Sequence, residues 1–354
     1  MPQLRLLLPA ALLAAASGSL AAQDAAQPRE QPTLHALATA PSEARLHDTI
    51  AHLVGFGTRH TLSDTQSDKR GIGAARRWVK AQFEAISRDC GGCIEVVTPS
   101  QTFTGERAPK PVEVMDIVAI KRGSSDPKRV IVMSGHLDSR VSDIMDVTSD
   151  APGANDDASG VAALMEAARL LSKQDNRATL VFAALSGEEQ GLYGGKVLAD
   201  YAVAQGWQVE ADLNNDIIGN SRGQNGVRDS ATVRVFSEGT RSTETPAQAH
   251  RRNYLGGDQV EFLSAGYPAV RVTEAHEDYT RQHQDLRTEG GITYGDTLDG
   301  IDLRYLTRVT ALNTVTMAAL ANAPAPPPTA CTGATPPRRS GNSRGRWAMS
   351  TRPC

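Results

Sequence analysis

Hydrophobic and polar positions divide the chain into segments of changing period. An apolar run from Leu6 to about Ala16 is followed by a stretch with no period, and then helix-like and strand-like segments alternate. A first helix is expected after Pro41. In a second, Ala74, Trp78, Val79, Phe83 and Ile86 recur at helical spacing as one buried face, with Asp64 or Ser67 as its cap. MDIVAIKR and RVIVMSGH are β-branched runs that predict strands, SGVAALMEAARLLSK predicts an amphipathic helix, and ATLVFAALS another buried strand. Then come a helix near Gly191 to Ala204, strands at DLNNDIIGN, ATVRVFSE and YPAVRVTE, and a long helix around Leu303 to Ala321. Continuously apolar strands that alternate with helices predict an α/β fold: a single domain with a central, largely parallel or mixed sheet and helices on both faces. In such sheets functional residues gather beyond the carboxyl ends of the strands.

The ends of the chain read differently. Arg5 precedes the apolar run and small residues follow it, which predicts a signal peptide over residues 1–22, cleaved near Ala21 or Ala22, and a secreted or periplasmic protein. The run is shorter than the roughly 20 residues that cross a bilayer, so no stable membrane insertion is expected after cleavage. Residues 23–41, rich in Ala, Gln and Pro, read as a mobile leader or short propeptide. The folded domain is then expected over 42–322, and the Pro/Arg-rich segment 323–354 as a disordered tail.

Composition narrows the function classes. With 354 residues, 40% of them hydrophobic, the chain can bury one large core. Its 37 basic and 40 acidic residues leave a net charge of -3, and no stretch interleaves Lys and Arg with aromatics, so nucleic acid is not an expected partner. Cys90 and Cys93 form a C-x-x-C between a helix and a strand. With no second pair to complete a zinc ribbon, this is a structural disulfide or two free thiols, and Cys331 and Cys354 complete an even count. GIGAAR (Gly71 to Arg76) has glycines like a phosphate loop, but no strand precedes it.

Four segments carry metal-binding residue types at strand ends. In SGHLDS, His136 offers an imidazole nitrogen and Asp138 an acceptor for its other N–H; taken alone this is no more than a surface pair. In PGANDDASG, Asp157 or Ser159 can cap the following helix, which leaves Asp156 to project into a cleft and bridge two cations. In LSGEEQG, Glu188 and Glu189 follow a buried strand: they are two solvated glutamates in a turn or, in the functional reading, Glu189 is a metal ligand and Glu188 the base that takes a proton from water. In LNNDIIGN, Asp216 lies in an apolar strand, where a carboxylate needs a partner. Three carboxylates and a hydroxide balance two Zn2+, and a mix of histidine and carboxylate suits zinc better than calcium or magnesium.

H-x-D, PGANDDASG, GEEQG and N-x-D-x-I-G, in this order over roughly residues 45–320, resemble the secreted co-catalytic zinc aminopeptidases of the clan that also holds glutamate carboxypeptidase and glutaminyl cyclase. The resemblance implies two zinc ions per chain. His136 and Asp216 would hold one, Glu189 and a final histidine the other, with Asp156 between them, Glu188 as general base and Asp138 orienting His136. It further implies a metallo-exopeptidase that takes peptide substrates with a free N-terminus. The final histidine departs from the family's Tyr-His-Thr. His283 is favoured because it follows Tyr279 and precedes Asp285, which would support it; His276 is the alternative. Gln259 stands where the family often has a histidine. Two other functions share these motifs: a glutaminyl-cyclase-like mono-zinc acyltransferase, and a non-catalytic binding relative.

Overall fold

The computed structural model of the protein describes residues 31–237 and 256–324. The expected signal peptide, residues 23–30 of the expected leader, Cys331, Cys354 and residues 325–354 of the tail lie outside them.

A seven-stranded sheet organises the domain, in the order β1-β4-β6-β5-β7-β9-β8. Its strands are β1 (Glu95–Val97), β4 (Ile117–Lys121), β5 (Asp126–His136), β6 (Ala178–Leu185), β7 (Gln208–Asn215), β8 (Val233–Phe236) and β9 (Ala269–Glu274). The four central strands β6, β5, β7 and β9 are parallel, and β1, β4 and β8 add antiparallel edges. This is the mixed α/β sheet that the pattern predicts. Two polar hairpins stand apart from it: β2 (Ser100–Gly105) with β3 (Ala108–Met115), and β10 (Arg287–Glu289) with β11 (Ile292–Tyr294). Neither was expected, because mostly polar strands lack the apolar run that marks a buried one.

Strand alternation sends side chains to two cores. Ile131 and Met133 of β5, with Leu180 and Phe182 of β6, face a core closed by α2 (Glu43–Val54), α3 (Gly71–Asp89), α4 (Ala158–Leu171) and α7 (Leu303–Asn322). Val130, Val132, Val181 and Ala183 face the opposite side, against α5 (Tyr193–Ala204) and α6 (Gln259–Ser264). With both faces covered, β5 from Val130 to Met133 and β6 from Leu180 to Leu185 are apolar at successive positions.

Three boundaries differ from the reading of the sequence. Helix α1 (Pro32–Ala38) lies inside the segment expected to be a mobile leader, and Leu37 joins the first core, so ordered structure starts ahead of residue 42. Helix α3 begins at Gly71. Asp64 instead accepts from Gln66 N (2.6 Å) and Ser67 N (3.0 Å) in a turn before it, so neither Asp64 nor Ser67 is its cap. Strand β7 ends at Asn215, which puts Asp216 just past the strand rather than within it. Cys90 and Cys93 are joined by a disulfide between α3 and β1. Among the described residues no helix is long and apolar enough to cross a membrane.

Candidate metal centre

Strand order brings the centre together. His136 is the last residue of β5, Glu188 and Glu189 follow β6, and Asp216 follows β7; since β6, β5 and β7 are parallel neighbours, their carboxyl ends lie side by side. Asp156 comes from the loop between β5 and α4. Gly153 in that loop has φ 53°, and a Cβ there would lie 2.6 Å from the Asp156 carbonyl oxygen and 2.5 Å from Ser139 Cβ, so the turn requires glycine. The buried Arg59 holds the loop to the end of β5: Nε donates to Leu137 O (2.7 Å), Nη1 to Pro152 O (2.5 Å) and Nη2 to Gly153 O (2.9 Å). Asp296 accepts from the backbone N–H groups of Asn155 (2.9 Å) and Asp156 (2.7 Å). The two neighbouring acids divide their work. Asp157 caps α4 by accepting from Gly160 N (2.9 Å), while Asp156 turns toward the strand ends.

Two triads result, and they share Asp156. Asp156 Oδ1 lies 2.9 Å from His136 Nε2, with Asp216 Oδ1 3.8 Å from the same nitrogen. Asp156 Oδ2 lies 2.8 Å from His283 Nε2, with Glu189 Oε1 2.9 Å from that nitrogen. Within each triad the ligand atoms all lie within 4.8 Å of one another. All of these residues except His283 are buried. His283 takes a left-handed backbone conformation (φ 55°), rare for a residue with a side chain and concentrated at functional sites.

The neighbours give each group a partner. His136 Nδ1 donates to the backbone oxygen of Asp138 (3.1 Å), nearer than the Asp138 carboxylate at 3.6 Å, which fixes the ring with Nε2 toward the centre. The Asp138 carboxylate itself accepts from the backbone of Glu188 and of Glu189 (3.2 Å each) and from Thr61 Oγ1 (2.8 Å). It therefore holds the Glu188–Glu189 turn as well as standing beside His136. Asp285 does not support His283 as the sequence suggested; it accepts from Ser142 Oγ (2.7 Å), and Arg140 Nη2 donates to His283 Nδ1 (2.5 Å) instead. Arg140 Nε also donates to Glu189 Oε2 (2.8 Å), and Arg271 Nε lies 3.1 Å from Asp216 Oδ2.

Electrostatics show that the cluster calls for positive charge. Burial would lower the pKa of His136, but Asp138, Asp156 and Asp216 outweigh it and hold the ring well above its ordinary value. Glu188, partly exposed, is pushed well above the carboxylate range by desolvation and by the charges of Glu189 and Asp216. Two imidazoles and three carboxylates on two adjacent points form a donor set that fits a pair of divalent cations, and zinc suits it by ligand type.

His276 belongs to neither triad. It lines a cleft of about 450 Å³ with Gln224, Asn225, Arg234, Ala275, Glu277 and Tyr279. Gln259 is buried at the start of α6 and accepts from Gly257 N (2.9 Å). Arg59, Thr61, Arg140, Arg271 and Asp296 were not singled out from the sequence.

A carboxylate shared between two histidine-bearing triads at the carboxyl edge of an α/β sheet is a donor arrangement that fits a metallohydrolase. The chain belongs to peptidase family M28, whose model matches residues 116–313, and it is an enzyme. It is 42% identical over 341 residues to a probable zinc metalloprotease of Leptosphaeria maculans, covering 85% of this chain and 79% of that one. Its fold is that of the LapA aminopeptidase of Legionella pneumophila (TM-score 0.59, 20% identity, 89% of this chain and 81% of that one). The same fold occurs in the glutaminyl cyclase of Porphyromonas gingivalis (TM-score 0.54, 17% identity, 78% of this chain and 97% of that one).

Proposed function

We propose that the protein is an exported di-zinc aminopeptidase. The observation that carries this reading is Asp156, whose two oxygens face His136 and His283 separately, which supports two cation positions rather than one. His136 and Asp216 would hold one zinc, Glu189 and His283 the other, with Asp156 common to both. Zinc is the metal named for the relative from Leptosphaeria maculans. Bound there, the metal pair supplies Lewis acidity toward the scissile carbonyl and acidifies water.

The chain's own residues do the rest. Glu188 accepts the proton of the attacking water and passes it to the leaving amine, a role supported by its position beside the ligand Glu189 and by burial and neighbouring carboxylates that push its pKa upward. Asp138 keeps Glu188 in place through the backbone N–H of that residue and, through its own carbonyl oxygen, fixes the tautomer of His136. Action on peptides with a free N-terminus is supported by the likeness to the LapA aminopeptidase. Export is supported by the signal-like N-terminus and by the Cys90–Cys93 disulfide, a bond favoured in oxidising compartments.

Metal analysis together with hydrolysis of a panel of aminoacyl-anilides tests the reading. Two zinc ions per chain and release of the N-terminal residue are expected. One zinc per chain with cyclisation of N-terminal glutamine would make it a cyclase instead.

A further inference from the structure

The three carboxylates of the centre are not used alike. Asp156 directs one oxygen to each triad. The other two each direct one oxygen inward and have the second beside an arginine: Glu189 has Oε1 toward His283 Nε2 and Oε2 hydrogen-bonded by Arg140 Nε, and Asp216 has Oδ1 toward His136 Nε2 and Oδ2 in an ion pair 3.1 Å from Arg271 Nε, without hydrogen-bond alignment. The two arginines come from unrelated places, Arg140 from the loop after β5 and Arg271 from within β9. All four side chains are largely buried; even Arg140, the most exposed, is 17% accessible.

We propose that Arg140 and Arg271 are positioning residues that restrict Glu189 and Asp216 to one metal-binding oxygen each. A carboxylate with both oxygens free can chelate one ion through both, which adds a ligand and closes the coordination position that a catalytic zinc must keep open. Occupying the outer oxygen with a guanidinium, which cannot be deprotonated in a protein, prevents this at each end of the centre. A neutral imidazole that binds a cation through Nε2 carries its proton on Nδ1, where it cannot accept from Arg140. The contact of Arg140 that bears on coordination is therefore Nε with Glu189, not Nη2 with His283. Each arginine also places a positive charge beside a cation site, so both trade metal affinity for an open position. The inference rests on the di-metal reading above.

The test replaces Arg140 by Met and, separately, by Lys, and Arg271 by Lys, the conservative change being chosen because Arg271 lies in the sheet. Each protein is loaded with Co2+, whose visible absorption weakens with each ligand added between four- and six-coordinate, and affinity is read by competition with a chromophoric chelator. For Arg140→Met we expect two ions per chain and at least tenfold tighter binding of the more weakly held ion. Visible absorbance should fall as Glu189 becomes bidentate, a loss confined to the ion that Glu189 binds and so no more than about half of the total. Arg140→Lys, which can keep one contact to Oε2, should restore much of the wild-type spectrum, a rescue that a merely structural role would not produce. Arg271→Lys should keep a spectrum close to wild type. Arg140→Met protein that binds two ions with the wild-type spectrum overturns the inference alone, as does weaker binding with that spectrum. Wild-type protein that takes up fewer than two ions overturns the di-metal reading, and the inference with it.

Discussion

The backbone N–H of His136 donates to Asp157 Oδ2 at 3.0 Å, so the acid that caps α4 also pins the last residue of β5. Its other oxygen accepts from Gly160 N at 2.9 Å and from Ile217 N at 3.3 Å, which ties the segment after β7 to the same point. One buried carboxylate thus fixes the relative positions of His136, Asp156 and Asp216. Helix and strand approach closely here: a Cβ on Gly160 would lie 2.4 Å from Asn215 O. Replacing Asp157 by Ala removes a helix cap and leaves buried N–H groups without acceptors, at a combined cost of about 2–5 kcal/mol. Urea denaturation should show that loss, and metal content should fall with it. Asp157→Asn, which keeps one acceptor oxygen, should lose less.

Glu188→Gln separates binding from chemistry. The amide cannot take a proton from water, yet Asp138 still accepts the backbone N–H of residue 188 at 3.2 Å and the ligands of both triads are untouched. The variant should retain the full metal complement while kcat falls by about 10²–10⁴, the usual contribution of a general base. Wild-type activity in a variant that still holds metal would end the assignment of Glu188.

The two candidate histidines give opposite expectations. His283 lies 2.8 Å from Asp156 and 2.9 Å from Glu189, whereas His276 lines a separate cleft with Arg234 and Tyr279. His283→Ala should therefore lose about half of the bound metal and most of the activity, and His276→Ala neither. Adding a chelator to wild-type protein should lower its Tm, because an ion held at 100 times its Kd stabilises the folded state by about 2.7 kcal/mol. In His283→Ala that chelator-induced shift should be smaller.

A buried acid away from the triads makes stability depend on pH. Asp212 is fully buried in β7, with Ser134 Oγ donating to Oδ1 at 2.8 Å and Oδ2 without a partner, and desolvation raises its pKa from 3.8 to about 8. A folded-state pKa above the unfolded value means that the folded protein binds more protons. The stabilisation is complete below the unfolded pKa and is lost as pH rises toward the folded one. Between these limits the loss approaches about 1.4 kcal/mol per pH unit. Asp212→Asn carries no such term. Its stability relative to wild type should rise as pH increases from about 4 to 8 and level off above that, as measured by thermal unfolding across the range. A difference independent of pH would refute the burial argument.

Much of the fold was readable because apolar periodicity is a local property. The buried strands β4, β5 and β6 and the helices α4 and α7 each stand in the sequence as an apolar run or a helical stripe, and β9 as a β-branched segment interrupted by Arg271. The polar hairpins β2–β3 and β10–β11 carry no such stripe, and α1 is only seven residues long, too short for a period to emerge from a leader rich in Ala and Pro. The ligand types at strand ends were readable for a similar reason, since a carboxylate or histidine that interrupts an apolar run needs a reason to be there.

By itself, then, the sequence determined the strands and helices of the sheet and marked His136, Glu188, Glu189 and Asp216 as polar groups set where apolar runs end, with Asp156 in the glycine-bearing turn before α4. It did not decide how these residues face one another, because that depends on which strands become neighbours. Only the order β6-β5-β7 brings Glu189, His136 and Asp216 together, and only the folded loops show that Asp157 is the cap, that Asp156 is shared between the triads, and that His283 joins them while His276 does not. The arginines lay furthest from view. A guanidinium leaves no periodic mark in a sequence, and Arg59, Arg140 and Arg271 acquire their roles only when segments far apart in the chain bring carbonyl oxygens and carboxylates to within about 3 Å of their nitrogens.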